Sequence, residues 1–167
     1  CRMCFTEEDL LYTLGQLVTV LEYRKGRLSE TGCKDLDTYN EITGESLHRI
    51  VFACDEVAEM LDKTGRSKES KQVLAQIENK LATLSRLGRA FGIHLILATQ
   101  RPDANILPGQ IKNNLDFRVC GRADNVLSQI ILDNTNAADQ IPKDARGRFI
   151  TGDGTVFQAY MLDEKQL

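Results

Sequence analysis

Apolar side chains recur every three or four residues in two long stretches of the chain, a spacing that places them on one face of an α-helix. The first stretch follows Thr6, a polar residue of the kind that caps helices, and its pattern fades near Gly26. The second covers residues 71–91, and Gly92 stands where such a helix ends. We therefore predict two long amphipathic helices. Their apolar positions are Leu10, Leu14, Leu17, Val18 and Leu21 in the first, and Val73, Leu74, Ile77, Leu81, Leu84, Leu87 and Phe91 in the second.

Two short apolar runs without alternation flank the second helix, at residues 49–54 and 93–98. Such runs predict strands buried on both faces, as in a parallel sheet covered by helices. Because a strand, a long helix and a second strand form a crossover unit, the two strands should be parallel neighbours with a right-handed connection. The predicted fold class is α/β, with a mostly parallel sheet flanked by helices.

The remaining elements are shorter. Gly152-Asp153-Gly154 separates two runs at residues 147–151 and 155–161, and Asp-Gly is a strong tight-turn signal, so the sequence predicts a C-terminal β-hairpin. A polar, glycine-punctuated stretch at 29–46 predicts a loop with a short helix, and 62–70 predicts an exposed charged turn. We also predict helices at 107–114, after Asp124 and at 134–141, and a third strand at 117–121.

Composition limits the class of protein. The chain has 167 residues, which suits a single domain over residues 1–167, and 42% apolar residues are enough for a core. A net charge of -3 excludes a strongly basic protein, so any nucleic-acid contact must come from a local patch. No signal peptide or apolar run long enough to span a bilayer is present. The odd count of five cysteines favours a reducing setting, and Cys1 and Cys4, a CxxC without a second pair, give little support for zinc.

Polar side chains follow both predicted central strands. Asp55 and Glu56 end the first, and Thr99 and Gln100 end the second. The carboxyl ends of parallel strands meet at one sheet edge, where open α/β sheets place their ligand sites. Asp55 is suited to hold Mg²⁺ directly or through a water, and Glu56 to polarise an attacking water. The alternative is that Asp55 caps the following helix and Glu56 is a solvated acid of its first turn.

Arginines near the end of the second long helix add a third feature. A nucleotide-hydrolysing motor needs acids for metal and water, a polar side chain that senses the γ-phosphate, and an arginine that neutralises transition-state charge. Arg86 and Arg89 are candidates for that arginine. Taken singly, each feature also fits an ordinary strand end or a solvated helix face.

The order of these motifs resembles the FtsK/SpoIIIE family of DNA-pumping ATPases. Residues 52–58 (Phe-Ala-Cys-Asp-Glu-Val-Ala) resemble a Walker B segment, and residues 88–102 resemble the most recognisable stretch of the family. The resemblance covers nearly the whole chain, from about Tyr23 to Met161, and is most specific over residues 93–102. Further matching segments are Tyr39-Asn40, residues 111–133 and residues 147–149.

This resemblance implies a RecA-like P-loop NTPase motor fold that uses ATP and Mg²⁺ and works as a homo-hexameric ring on double-stranded DNA, or on proteins in some relatives. It implies that Asp55 coordinates Mg²⁺, that Glu56 is the catalytic base and that Gln100 senses phosphate. It also implies that Arg89 reaches the nucleotide of the adjacent subunit, although Arg86 lies one turn away. Thr99 and Arg101 would support the sensor region.

One departure concerns the phosphate-binding loop. The motif G-x-x-x-x-G-K-[ST] is required to cradle the phosphates, and this chain contains no Gly-Lys dipeptide. Because that segment precedes the Walker B strand in the family, we expect the chain to be the C-terminal half of a motor domain. The missing front portion would carry the loop, and any membrane contact would come from segments outside this sequence.

Several functions stay open at this point. The stretch 118–124 and the charged residues 62–71 favour a coupling ATPase of a conjugative element over a chromosome translocase, and a type VII protein-secretion motor is a third relative. A non-hydrolysing ring member and an unrelated α/β binding domain are alternatives of other classes. The last of these would be favoured if Asp55 and Gln100 lay on non-adjacent strands. Candidate DNA contacts are Lys112, Arg118, Arg122, Arg146 and Arg148.

Overall fold

Helix and strand boundaries follow from a computed structural model, which describes residues 3–100 and 108–161. The chain packs as two compact units. The first comprises the described residues up to Gln100 together with 108–114, and the second comprises 115–161. The assignment of residues 1–167 to a single domain stays a prediction. In the described ranges, no helix combines the length and the apolar character needed to cross a membrane.

The first long helix, α1, spans Glu7–Thr31 and is capped by Thr6, whose hydroxyl accepts a hydrogen bond from the Asp9 amide. The predicted end near Gly26 is wrong, because Leu28 continues the buried stripe for another turn and the helix ends only at the left-handed Gly32. A short helix, α2, follows at Leu36–Thr43 with Asp35 as its cap. It confirms the short helix predicted within the polar stretch.

The second long helix, α4, spans Lys68–Leu87 and packs along α1. It begins earlier than predicted because the hydroxyl of Ser67 caps it, so the charged turn is shorter than 62–70. A single 3-10 turn at Gly88–Phe91, here called the Arg89 turn, extends α4 and ends at Gly92 as predicted. Two short helices complete this unit, α3 at Val57–Leu61 and α5 at Gly109–Lys112.

The central strands are β1, Ile50–Cys54, and β2, Ile93–Leu97. They pair in parallel, with Ile50 opposite Ile93 and Cys54 opposite Leu97, which confirms that the two strands are parallel neighbours. The prediction that both faces are buried is wrong. Val51 is 60% exposed and Ile96 is 57% exposed, whereas Ile93 is buried, so the described residues do not cover both faces of the sheet.

The second unit contains an antiparallel sheet in the order β3-β4-β5. Its strands are Val119–Cys120, Arg148–Thr151 and Val156–Gln158, and the last two form the predicted hairpin. The third predicted strand is therefore shorter than 117–121 and pairs antiparallel with β4. Helices α6, Asn125–Leu132, and α7, Asn136–Gln140, follow β3. The unit's core consists of Cys120, Ala123, Leu132, Ala137, Ile141 and Ile150.

Candidate functional site

The parallel pairing of β1 and β2 continues one step past the strands. The Ala98 amide donates to the Cys54 carbonyl at 2.9 Å, and the Val57 amide donates to the Ala98 carbonyl at 2.9 Å. These bonds fix the two segments that leave the strands side by side. The carboxyl edge of the sheet thus brings the acid pair of β1 next to the polar pair of β2.

Glu56 makes the direct contact between the two strand ends. Its Oε1 accepts a hydrogen bond of 2.9 Å from the backbone amide of Gln100. The Glu56 backbone lies in the left-handed region, at φ 50° and ψ 45°, which costs a non-glycine residue about 1–2 kcal/mol. Such strain is concentrated at functional sites, where the surrounding structure holds it in place. The strained turn and this hydrogen bond together fix the carboxylate of Glu56 at the end of β2.

The alternative assignments for the acid pair do not match this geometry. Helix α3 begins directly after Glu56, and no side chain caps it. Asp55 Oδ1 accepts the adjacent amide, that of Glu56, at 3.1 Å, and Glu56 occupies the cap position, so Asp55 is not the helix cap. Glu56 precedes the first turn of α3, and its carboxylate accepts the Gln100 amide. Asp55 and Gln100 follow adjacent strands, which also argues against the unrelated binding domain.

Two further groups at this edge fit a nucleotide and its metal ion. The Asp55 side chain is exposed, and an exposed carboxylate is a suitable ligand for Mg²⁺, which takes one or two protein oxygens and completes its shell with water and phosphate. The Thr99 hydroxyl is buried and has no hydrogen-bond partner among the described residues. Buried hydroxyls normally have a hydrogen-bond partner, so the Thr99 hydroxyl is suited to bind a ligand oxygen or an ordered water.

Arg89 lies at the other end of β2. The Arg89 turn precedes the strand, whereas Gln100 follows it. The strand has five residues, which span roughly 16 Å at about 3.3 Å per residue. The structure therefore does not bring Arg89 to the acids of its own chain. Arg86 lies in the last turn of α4 and lines an open groove of about 340 Å³ with Gln110 and Asn114 of the α5 region.

Comparison with known proteins identifies relatives of this chain. DNA translocase FtsK of Treponema pallidum is 33% identical over an alignment of 134 residues that covers 76% of this chain and 16% of that protein. DNA translocase FtsK of Chlorobaculum tepidum is 33% identical over 126 residues, or 74% of this chain and 15% of that protein. The solved structure of the pCW3 conjugation coupling protein TcpA, a monomer form with ATPγS, is 40% identical, with a TM-score of 0.89 over 96% of this chain and 46% of that chain.

The chain belongs to the FtsK/SpoIIIE family. Its RecA-like α/β fold is that of the family's motor domains, as predicted. The chain spans about one sixth of the length of the FtsK relatives it matches. The type VII secretion ATPase EccC of Thermomonospora curvata shares the fold, with a TM-score of 0.64 at 22% identity over 94% of this chain and 18% of that chain. No protein-family model matches the chain.

The basic residues proposed for DNA contact differ in their surroundings within this FtsK/SpoIIIE chain. Arg118 donates to the Ile131 carbonyl and pairs with Asp133, and Arg122 donates to the carbonyls of Ala138 and Ile141. Both guanidinium groups are therefore engaged in holding the second unit together, which argues against a phosphate contact. Two other candidates are exposed, Arg146 just before the hairpin and Arg148 at the start of β4, and Lys112 lies in α5.

One residue with a part in this region was missed by the sequence analysis. Arg24 of α1 is buried and binds backbone carbonyls at the amino ends of both central strands. The available signal was spacing, since Leu21, Arg24 and Leu28 continue the helical stripe without a break. Of the residues assigned to the sensor region, Arg101 lies outside the described residues.

Proposed function

We propose that this chain supplies the Walker B acids, the sensor and the trans-acting arginine of an ATP-driven motor that moves double-stranded DNA. The observation that carries the proposal is the hydrogen bond from the Gln100 amide to Glu56, which joins the ends of two adjacent parallel strands. It links the two segments that respond to the γ-phosphate and to the attacking water. A change at one strand end is thereby transmitted to the other.

Each side chain at this edge has a distinct part in hydrolysis. Asp55 would hold Mg²⁺, which would supply charge neutralisation on the phosphates of ATP. Glu56 accepts a hydrogen bond from the attacking water and takes its proton, and its strained backbone keeps the carboxylate in place before substrate arrives. The side-chain amide of Gln100 binds the terminal phosphate, and the Thr99 hydroxyl supports that contact.

Arg89 acts on the nucleotide of a neighbouring subunit in this proposal. The length of β2 separates it from Asp55 and Glu56 of its own chain, so one chain cannot offer both to the same phosphate. A homo-hexameric ring, as the family resemblance implies, would supply Arg89 at each subunit interface. An arginine supplied in this way stabilises the charge of the transition state.

The phosphate cradle would come from a part of the intact protein outside this sequence, because these 167 residues contain no Gly-Lys dipeptide. We therefore expect the isolated chain to bind ATP very weakly and to show no measurable turnover. A phosphate-release assay on the purified chain, with the intact protein as positive control, tests this. Robust turnover that Glu56→Gln abolishes would show that the cradle is not needed and would overturn the assignment.

We further propose that the motor passes DNA to a conjugative channel. The chain is more similar in sequence to TcpA, a conjugation coupling protein, than to the FtsK proteins, at 40% against 33% identity. EccC, a type VII secretion ATPase, is less similar still, at 22%.

Double-stranded DNA is expected to raise ATP turnover by the intact protein several-fold, and single-stranded DNA of equal length to raise it less. Glu56→Gln in donor cells should abolish conjugative transfer without a defect in chromosome segregation. A segregation defect with normal transfer would favour a chromosome translocase, and basal turnover unaffected by DNA would contradict a DNA substrate.

A further inference from the structure

Arg24 occupies a place in the buried stripe of α1 where the helix would otherwise carry an apolar residue. Leu21 lies three residues before it and Leu28 four residues after it, and all three are buried. Arg24 is 6% exposed, and among the described residues no acid forms an ion pair with it. Burying an unpaired charge is unfavourable unless hydrogen bonds compensate for it. The buried guanidinium of Arg24 therefore requires hydrogen-bond partners.

The contact is a fork to two backbone carbonyls. Nη1 of Arg24 donates to the Phe91 carbonyl at 2.6 Å, and Nη2 donates to the His48 carbonyl at 2.7 Å. Phe91 is the last residue of the Arg89 turn, and His48 lies just before β1. The planar guanidinium presents both donors at a fixed separation, which a lysine ammonium cannot do. Arg24 therefore ties the Arg89 turn to the start of the neighbouring strand.

The turn has little room to shift once it is tied. The Gly92 amide donates to the Arg89 carbonyl, and the Gly92 carbonyl accepts a bond of 2.8 Å from Ile50 of β1. A Cβ at position 92 would lie 2.3 Å from the Leu36 side chain and 3.2 Å from Nη1 of Arg24. These contacts surround the carboxyl end of the turn, so its position depends on α1, α2 and β1 together.

We propose that Arg24 is a positioning residue for the trans-acting arginine: it fixes the Arg89 turn so that Arg89 is presented to the neighbouring subunit in one orientation. This inference rests on the proposed role of Arg89. A displacement of about 1 Å in a catalytic group can cost roughly 100-fold in rate, so a turn held from behind by a buried fork has a direct effect on hydrolysis. Arg24 itself binds the carbonyls of Phe91 and His48, at the amino ends of the strands, whereas Asp55 and Glu56 follow the carboxyl end of β1.

The test replaces Arg24 in the intact protein by lysine, which keeps the charge but not the fork, and by methionine, which matches the apolar stripe. Both variants are expected to lower kcat for ATP by a factor on the order of 100. KM for ATP should stay within about threefold, because Asp55 and Glu56 of the variant subunits are unaffected. Mixing either variant with Glu56→Gln subunits should restore part of the activity. Such rescue requires that the Arg24 variant subunit is folded and that its only defect is the presentation of Arg89 to the neighbouring subunit.

Arg27, one turn further along α1, is the matched control, since it pairs with Glu45 and Tyr39 and does not contact the turn. Arg27→Lys should keep kcat within about threefold of wild type. Wild-type turnover in Arg24→Lys and Arg24→Met, with Arg89→Ala impaired, would overturn the positioning role alone. Loss of folding in both variants, or loss without rescue, would assign Arg24 to stability only and overturn it as well. Wild-type turnover in Arg89→Ala would overturn both proposals.

Discussion

Replacing Arg89 by alanine in the intact protein is expected to lower ATP turnover by a factor on the order of 10³ or more, since a trans arginine contributes about that much to phosphoryl transfer. Nucleotide binding should be nearly unchanged, because a trans arginine stabilises the charge of the transition state rather than the bound nucleotide. Steady-state ATPase rates and the Kd of a fluorescent nucleotide measure the two quantities. Arg86→Ala, a substitution in the last turn of α4, is the control and should have a small effect.

Mixing subunits distinguishes a trans role from a local one. An Arg89→Ala subunit keeps its acids, and a Glu56→Gln subunit keeps its arginine, so an interface formed by the two can contain one complete site. We expect partial recovery of ATP turnover in the mixture compared with either variant alone. Absence of recovery at every mixing ratio would count against a shared site, and a large loss in Arg86→Ala with normal Arg89→Ala would transfer the role to Arg86.

Glu56→Gln is expected to stop hydrolysis in the intact protein while leaving nucleotide bound. Glutamine keeps the size of the side chain and an oxygen that can accept the Gln100 amide, so the link between the strand ends is preserved. It cannot take the proton of the attacking water, and general-base catalysis contributes typically 10²- to 10⁴-fold. Single-turnover hydrolysis and nucleotide retention after gel filtration are the measurements.

Glu59→Gln is the matched control for Glu56→Gln. Glu59 lies in α3, three residues further on, and its side chain is exposed. The Glu59→Gln variant should hydrolyse ATP at close to the wild-type rate. Equal loss in both variants would indicate a general effect of charge at this edge, and normal turnover in Glu56→Gln would exclude Glu56 as the base.

The central pairing was predictable because its causes are local in sequence. An apolar run, an amphipathic helix and a second apolar run favour a parallel crossover, and the two strands do pair in parallel. Polar residues directly after each run, such as Asp55 and Gln100, must then meet at one edge. The ends of the helices were predictable for the same reason, because Thr6 and Gly92 form hydrogen bonds with amides and carbonyls only a few residues away.

Other features depended on contacts that local patterns do not encode. The run in β1 has the composition of a strand buried on both faces, yet Val51 is exposed because burial depends on which helices pack against the sheet. Arg118 and Arg122 are residues of the type that contacts nucleic acid. Their guanidinium groups instead donate hydrogen bonds to backbone carbonyls 13 to 19 residues away in the sequence. Sequence alone does not distinguish an arginine that binds backbone from one that binds phosphate.

By itself, then, the sequence determined the order of strands and helices, the family, and the placement of Asp55, Glu56, Thr99 and Gln100 at one sheet edge. Only the tertiary structure decided how these groups are held. The bond between Gln100 and Glu56 spans 44 residues, and the bond between Arg24 and Phe91 spans 67. Hydrophobic periodicity and turn chemistry act over a few residues, whereas these hydrogen bonds form only after α1, β1 and β2 have packed together.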